Sequence, residues 1–154
     1  MDIELSLETK ALVTILRHIT IVQKRLQLFI AELEHRATIH DVSKLSFDEF
    51  AGFVEINKIA REHPYGSKEY KDSLKGNETI KLHFSRNTHH PEYWGKGVED
   101  MGIFDLIEMT IDWMAAAETY GQTTFEESLD IQQKRFNLSD KHMWLIKLIA
   151  KELQ

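Results

Sequence analysis

The chain has no cysteine among its 154 residues. That excludes disulfides, thiolate-bound zinc, iron–sulfur clusters and cysteine nucleophiles at once. Proline and glycine are scarce, two and seven respectively, so little punctuates the backbone and long helices are expected. No apolar run approaches the ~18 residues that a membrane span needs. The acidic start Met1-Asp2-Ile3-Glu4 also lacks the basic, then apolar, pattern of a signal peptide. A cytoplasmic protein is the expectation. Net charge is −6, which argues against non-specific binding to nucleic acid or to an anionic membrane. Hydrophobic content of 42% and charged content of 29% suit a globular chain, with one domain expected over 1–154.

What the chain has in quantity is histidine, eight in all. The organising stretch is His40-Asp41-Val42-Ser43-Lys44, answered later by Asn87-Thr88-His89-His90. Imidazole nitrogens and carboxylate oxygens, without thiolates, suit manganese, cobalt, zinc, iron or nickel, and favour hydrolytic or oxygen chemistry. A divalent ion can bring the pKa of a bound water to ~7 and so supply a nucleophile. Asp41 is the natural bridge between two ions, because a carboxylate offers two oxygens.

Periodicity predicts an all-α bundle of about six to seven helices, with no convincing alternating strand. Ser6 caps a helix from about Glu8 to Leu33 with Ala11, Ile15, Val22, Leu26 and Phe29 on one face, and His18 falls between Ile15 and Val22. The polar Glu34-His35-Arg36 then separates it from a second helix carrying His40, Asp41 and Lys44. Ser46-Phe47-Asp48-Glu49 reads as a capping box that opens a third helix to about Arg61. Pro64-Tyr65-Gly66 breaks the chain. Helical pieces follow at about Lys68–Leu74 and Glu78–Arg86, the latter with His83, and residues 87–100 read as irregular.

The most apolar helix spans about Gly102 to Thr119. Asp105, Glu108 and Asp112 fall within a ~60° arc of it, beside the small Ala115 and Ala116. This arc is either an ordinary solvent face or an inward row with room for ions and substrate. Thr124-Phe125-Glu126-Glu127 is a second capping box, for a helix to about Arg135. Ser139 caps a closing helix whose core is expected at Trp144, Leu145, Leu148 and Ile149.

The order His18, His40-Asp41, a histidine pair, then Asp112 resembles the HD superfamily of metal-dependent phosphohydrolases. His40-Asp41-Val42-Ser43-Lys44 is similar to the His-Asp-x-x-Lys form of HD-GYP-type phosphodiesterases, and His89-His90-Pro91-Glu92 resembles their His-His-Glu element. With Asn87-Thr88-His89-His90-Pro91-Glu92-Tyr93-Trp94 and Glu108-Met109-Thr110-Ile111-Asp112-Trp113, the chain looks closer still to a small uncharacterised single-domain family of phages and bacteria. The Gly-Tyr-Pro element is absent after His90, so the resemblance stops short of cyclic dinucleotides.

The resemblance implies an all-α HD-like domain with one or two divalent ions. It implies a first ion on His18, His40, Asp41 and Asp112, with His83, His89 and His90 as candidates for a second. It places Lys44 near the phosphate of a nucleotide or similar small phosphoester. From residue type, Arg36 and Asn87 are candidates to contact phosphate or sugar, and Tyr93 or Trp94 to stack on a base. Glu108 is a candidate to orient a ligand or a water. Rival readings are an HD-type di-iron oxygenase and a helical module with a purely structural ion. A homo-oligomer is also compatible with the sequence.

Overall fold

The computed structural model describes residues 6–63, 67–121 and 124–153. The expected break at Pro64-Tyr65-Gly66 and the acidic start Met1-Asp2-Ile3-Glu4 lie outside the described residues. Secondary structure is all-α. Seven α-helices are described: α1 (Leu7–Ile39), α2 (Phe47–Glu62), α3 (Lys68–Leu74), α4 (Glu78–Arg86), α5 (Ile103–Tyr120), α6 (Phe125–Phe136) and α7 (Asp140–Glu152). Among the described residues there is no strand, and no helix is long and apolar enough to cross a membrane. The chain divides into two compact units, Met1–His40 and Asp41–Gln154.

The first unit is one long helix. Ser6 caps α1 by accepting from the Thr9 N–H at 3.2 Å. The helix does not end near Leu33 as its polar stretch suggested. Nothing in Glu34-His35-Arg36 breaks a helix, and Arg36 Nε meets Glu32 one turn earlier at 2.8 Å. It runs to Ile39, where the His40 N–H closes the last turn on the Arg36 carbonyl at 2.8 Å.

That continuity corrects two expectations. There is no second helix carrying His40, Asp41 and Lys44. His18 and His40 moreover sit on one uninterrupted helix, about 33 Å apart along its axis at ~1.5 Å per residue. They cannot ligate the same ion within one chain.

The second unit begins with a turn. Asp41 takes a left-handed backbone (φ 56°), which Asp tolerates better than most residues, and Val42–Leu45 form a short 3-10 turn. Serine 46 then precedes α2, but the Ser-x-x-Glu capping box does not form there. Ser46 makes no side-chain cap bond, and Glu49 is fully buried, turned toward α4 instead. The box at Thr124 does form, with the Thr124 N–H donating to Glu127 at 2.8 Å and the Glu127 N–H to Thr124 Oγ1 at 3.2 Å.

The apolar core of this unit lies among α5, α6 and α7. Met109, Leu129 and Ile146 are fully or almost fully buried, and Trp113 stacks on Phe136 with centroids 5.9 Å apart. The most buried face of α7 is Met143, Ile146 and Ala150, and the expected Leu145 packs partly buried against the core. Trp144, expected in the core, is 63% exposed.

Helices α2 and α4 approach closely at Gly52. A Cβ built there would lie 1.9 Å from Thr79 Oγ1 and 2.7 Å from Thr79 Cβ. Gly52→Ala therefore forces these helices apart, although alanine is the better helix former. The clash costs about 1–3 kcal/mol and outweighs the ~1 kcal/mol propensity gain. A lower denaturant midpoint at unchanged m checks it.

Candidate metal centre

Four side chains of the second unit converge. Asp41, His83, His89 and His90 each offer one ligand atom, and these atoms all lie within 4.8 Å of one another. Asp41 comes from the turn before α2, His83 from α4, and the histidine pair from the loop after α4. Asp41 Oδ1 lies 3.1 Å from His83 Nε2 and 3.4 Å from His89 Nε2, while His90 Nε2 lies 3.0 Å from His83 Nε2. Three imidazole nitrogens and one carboxylate oxygen match a mid-row transition ion in number and type. So many electron pairs at this spacing require something positive between them, either protons or an ion.

The loop that presents His89 and His90 is shaped by its own polar groups. Thr88 donates to Asp105 at 2.7 Å, and Asp105 also accepts from the Gly102 N–H at the start of α5 at 3.0 Å. The indole of Trp94 donates to the Thr88 carbonyl at 2.7 Å. Pro91–Tyr93 and Gly97–Asp100 add two 3-10 turns within the stretch expected to be irregular.

Each buried imidazole has a carboxylate behind it. His83 Nδ1 lies 2.9 Å from Glu49 Oε2, and His89 Nδ1 lies 3.1 Å from Glu108 Oε1. Arg86 Nη1 reaches Glu49 Oε1 at 3.0 Å, and its Nη2 reaches Asp48 at 3.0 Å. Lys44 Nζ meets Asp41 Oδ2 at 2.5 Å, and lies 5.1 Å from the Phe53 ring centroid.

These contacts set the charge states. Burial alone would raise the Asp41 carboxyl, but contacts with His83, His89 and Lys44 outweigh it and hold it well below the usual range. Glu49 behaves likewise, burial being outweighed by His83, Ser43 and Arg86. Burial would lower His89, yet Asp41 and Glu108 raise it above its ordinary value. Burial, with His89 and His83 as like charges, pushes His90 down to about 3, so it stays neutral.

Asp112 lies on α5, partly buried, and acts on His90 through its charge. Glu108 Oε1 meets the Nδ1 of His89 at 3.1 Å. Asn87 is absorbed by the site's own framework, donating to Ser43 at 3.0 Å and to the His83 carbonyl at 2.7 Å. Trp94 is used in folding the loop, whereas Tyr93 is 44% exposed. Arg36 pairs with Glu32 on α1. His40 caps α1 and is joined directly to Asp41, and His18 sits mid-helix in the 1–40 unit.

Glu49 escaped the sequence reading, because its spacing from Ser46 pointed to a cap. Its being the buried partner of His83 had no signal in one dimension.

Residues 7–153 match a family described as a family of unknown function, DUF5662. The chain belongs to this family. No curated protein and no solved structure matches it. The family description carries no activity.

Proposed function

We propose that the protein is a metal-dependent phosphohydrolase acting on a nucleotide or similar small phosphoester. The observation that carries this reading is the convergence of Asp41, His83, His89 and His90 within 4.8 Å. The likeness of His40-Asp41-Val42-Ser43-Lys44 and His89-His90 to HD-superfamily motifs supports it, within a family that has no assigned activity.

Asp41, His83, His89 and His90 would hold the ion, of which manganese, cobalt, zinc, iron and nickel all accept such donors. A bound ion supplies a water-derived nucleophile at neutral pH and Lewis acidity toward a phosphoryl oxygen. The residues of the chain supply the rest. Lys44, 36% exposed at its side chain, pairs with Asp41 and offers positive charge to the phosphoryl group at the edge of the cluster. Glu108 holds the His89 ring by its Nδ1 and accepts positive charge there. Asp112 biases His90 electrostatically. Tyr93 is the exposed aromatic of the loop and is suited to stack on a base.

The test is a panel of nucleoside mono-, di- and triphosphates with each divalent metal, read as phosphate or pyrophosphate. Turnover with manganese or cobalt that disappears with chelator supports the reading. Oxygen uptake by the ferrous protein without phosphate release would replace it with the oxygenase, and an ion-loaded protein inert in both assays would leave a structural ion.

A pH dependence follows from His89. Its folded pKa is raised above 6.5, so the proton it carries must leave before Nε2 can donate to an ion. Ion affinity is expected to strengthen with pH up to and beyond 6.5, by as much as about tenfold per pH unit for one released proton. Calorimetry in buffers of different ionisation heat, at several pH values, counts that proton. Affinity unchanged between pH 6 and 8 would contradict it.

A further inference from the structure

We infer that Glu49 is the positioning residue that fixes which nitrogen of His83 faces the centre. The inference rests on the metal-site reading for its purpose, but its evidence is a complete account of the hydrogens around His83 Nδ1. Three groups lie within bonding distance of that nitrogen: Glu49 Oε2 at 2.9 Å, Ser43 Oγ at 3.1 Å and Asn87 Nδ2 at 3.1 Å.

Asn87 has two amide hydrogens. One goes to Ser43 Oγ at 3.0 Å and the other to the His83 carbonyl at 2.7 Å. Ser43 has a single hydroxyl hydrogen, which goes to Glu49 Oε2 at 3.0 Å. Both donors near Nδ1 are therefore committed elsewhere, and what remains is a carboxylate, which only accepts. The hydrogen between His83 Nδ1 and Glu49 must sit on the nitrogen.

The opposite tautomer would set the lone pair of Nδ1 against an oxygen of a fully buried carboxylate at 2.9 Å with no hydrogen between them. With Nδ1 protonated, Nε2 is the atom that exchanges a proton for an ion. It points between Asp41 Oδ1 at 3.1 Å and His90 Nε2 at 3.0 Å.

Glu49 is itself aimed. Ser43 Oγ donates at 3.0 Å to the same oxygen that faces His83, which holds the carboxylate in place, while Arg86 meets the second oxygen at 3.0 Å and offsets its charge. The Glu108–His89 contact at 3.1 Å repeats the construction on the other side of Asp41. Two imidazoles, each backed by a glutamate, thus turn the same nitrogen toward one carboxylate oxygen. Carboxylates behind ligating histidines raise ligand basicity and lock ring orientation.

Two measurements test this. The first uses the unaltered metal-free protein, with ¹⁵N-labelled histidine, at pH 8. The His83 imidazole should show a protonated Nδ1; a bare Nδ1 overturns the inference, whether or not any ion binds. The second titrates Co²⁺ into wild type, Glu49→Gln and Arg86→Met, followed by visible absorption. Glu49→Gln should bind Co²⁺ about 10–100-fold more weakly, while Arg86→Met, which loses the same ion pair but keeps the carboxylate on His83, should stay within about threefold of wild type.

Equal weakening in both variants would mean that Glu49 acts only through the fold, and would also overturn the inference. Should wild type bind no Co²⁺ at all, the ion reading fails, and the ¹⁵N spectrum alone decides the role of Glu49.

Discussion

Asp41→Asn is expected to lower phosphate release by about a thousandfold or more, the equivalent of at least ~4 kcal/mol of lost transition-state stabilisation. Asp41 is the residue on which the site turns. One of its oxygens faces His83 and His89, and the other holds Lys44 at 2.5 Å. An amide in its place presents one oxygen and one NH2 group that only donates, so either the histidines or Lys44 face the wrong group. Asparagine is the informative substitution because it keeps the size of the side chain. It also tolerates the left-handed backbone (φ 56°) found at this position, where a β-branched residue would be strained. The helical circular dichroism should therefore be retained while turnover is lost. Lost turnover accompanied by lost helicity would assign Asp41 to the fold instead.

The second large effect is on stability. Nothing but the native arrangement brings Asp41, His83, His89 and His90 together, so an ion held there binds the folded chain far better than the unfolded one. At an ion concentration a thousand times its dissociation constant, the folded state gains about 4 kcal/mol. For a chain of this length that corresponds to a melting temperature higher by roughly 10 °C. Thermal unfolding with chelator, then with Mn²⁺, Co²⁺ or Zn²⁺ restored, measures it. His90→Ala should remove most of the gain while leaving the melting temperature in chelator nearly unchanged, because His90 is neutral and its loss leaves no buried charge unpaired. A melting temperature insensitive to every ion would contradict the account.

Much of the architecture was legible before any coordinates. The short α3 at Lys68–Leu74 has the predicted bounds, and the Thr124 box opens α6 as its Thr-x-x-Glu spacing implies. Local signals of this kind are self-contained, since donor and acceptor lie three residues apart.

Where the reading went astray, a distant partner had claimed the residue. Glu49 has the spacing of a cap but meets His83, 34 residues on. The Glu34-His35-Arg36 stretch is polar, yet Arg36 pairs within the helix and α1 continues through it. That continuity is what separates His18 from His40. Trp94 is an aromatic beside two histidines, and its indole nonetheless serves the loop carbonyl of Thr88. Among the expected histidines of the second unit, the pair 89–90 and His83 meet Asp41, with His83 far more central than its six-residue spacing from His89 suggested.

The arc on α5 also divided by partner rather than by angle. Asp105 went to the start of its own helix and to Thr88, Glu108 to the ring of His89, and Asp112 to the field around His90. A helical wheel places the three acids on one side of the helix. Only the neighbouring loop decides that they do three different jobs.

The central claim is best tested by diffraction from crystals soaked in cobalt, collected at the cobalt absorption edge. The account predicts one anomalous peak between Asp41 Oδ1 and the Nε2 atoms of His83, His89 and His90, bonded to at least three of them at ~2.0–2.2 Å. A cobalt peak elsewhere on the chain, with these four side chains holding only protons between them, would contradict it.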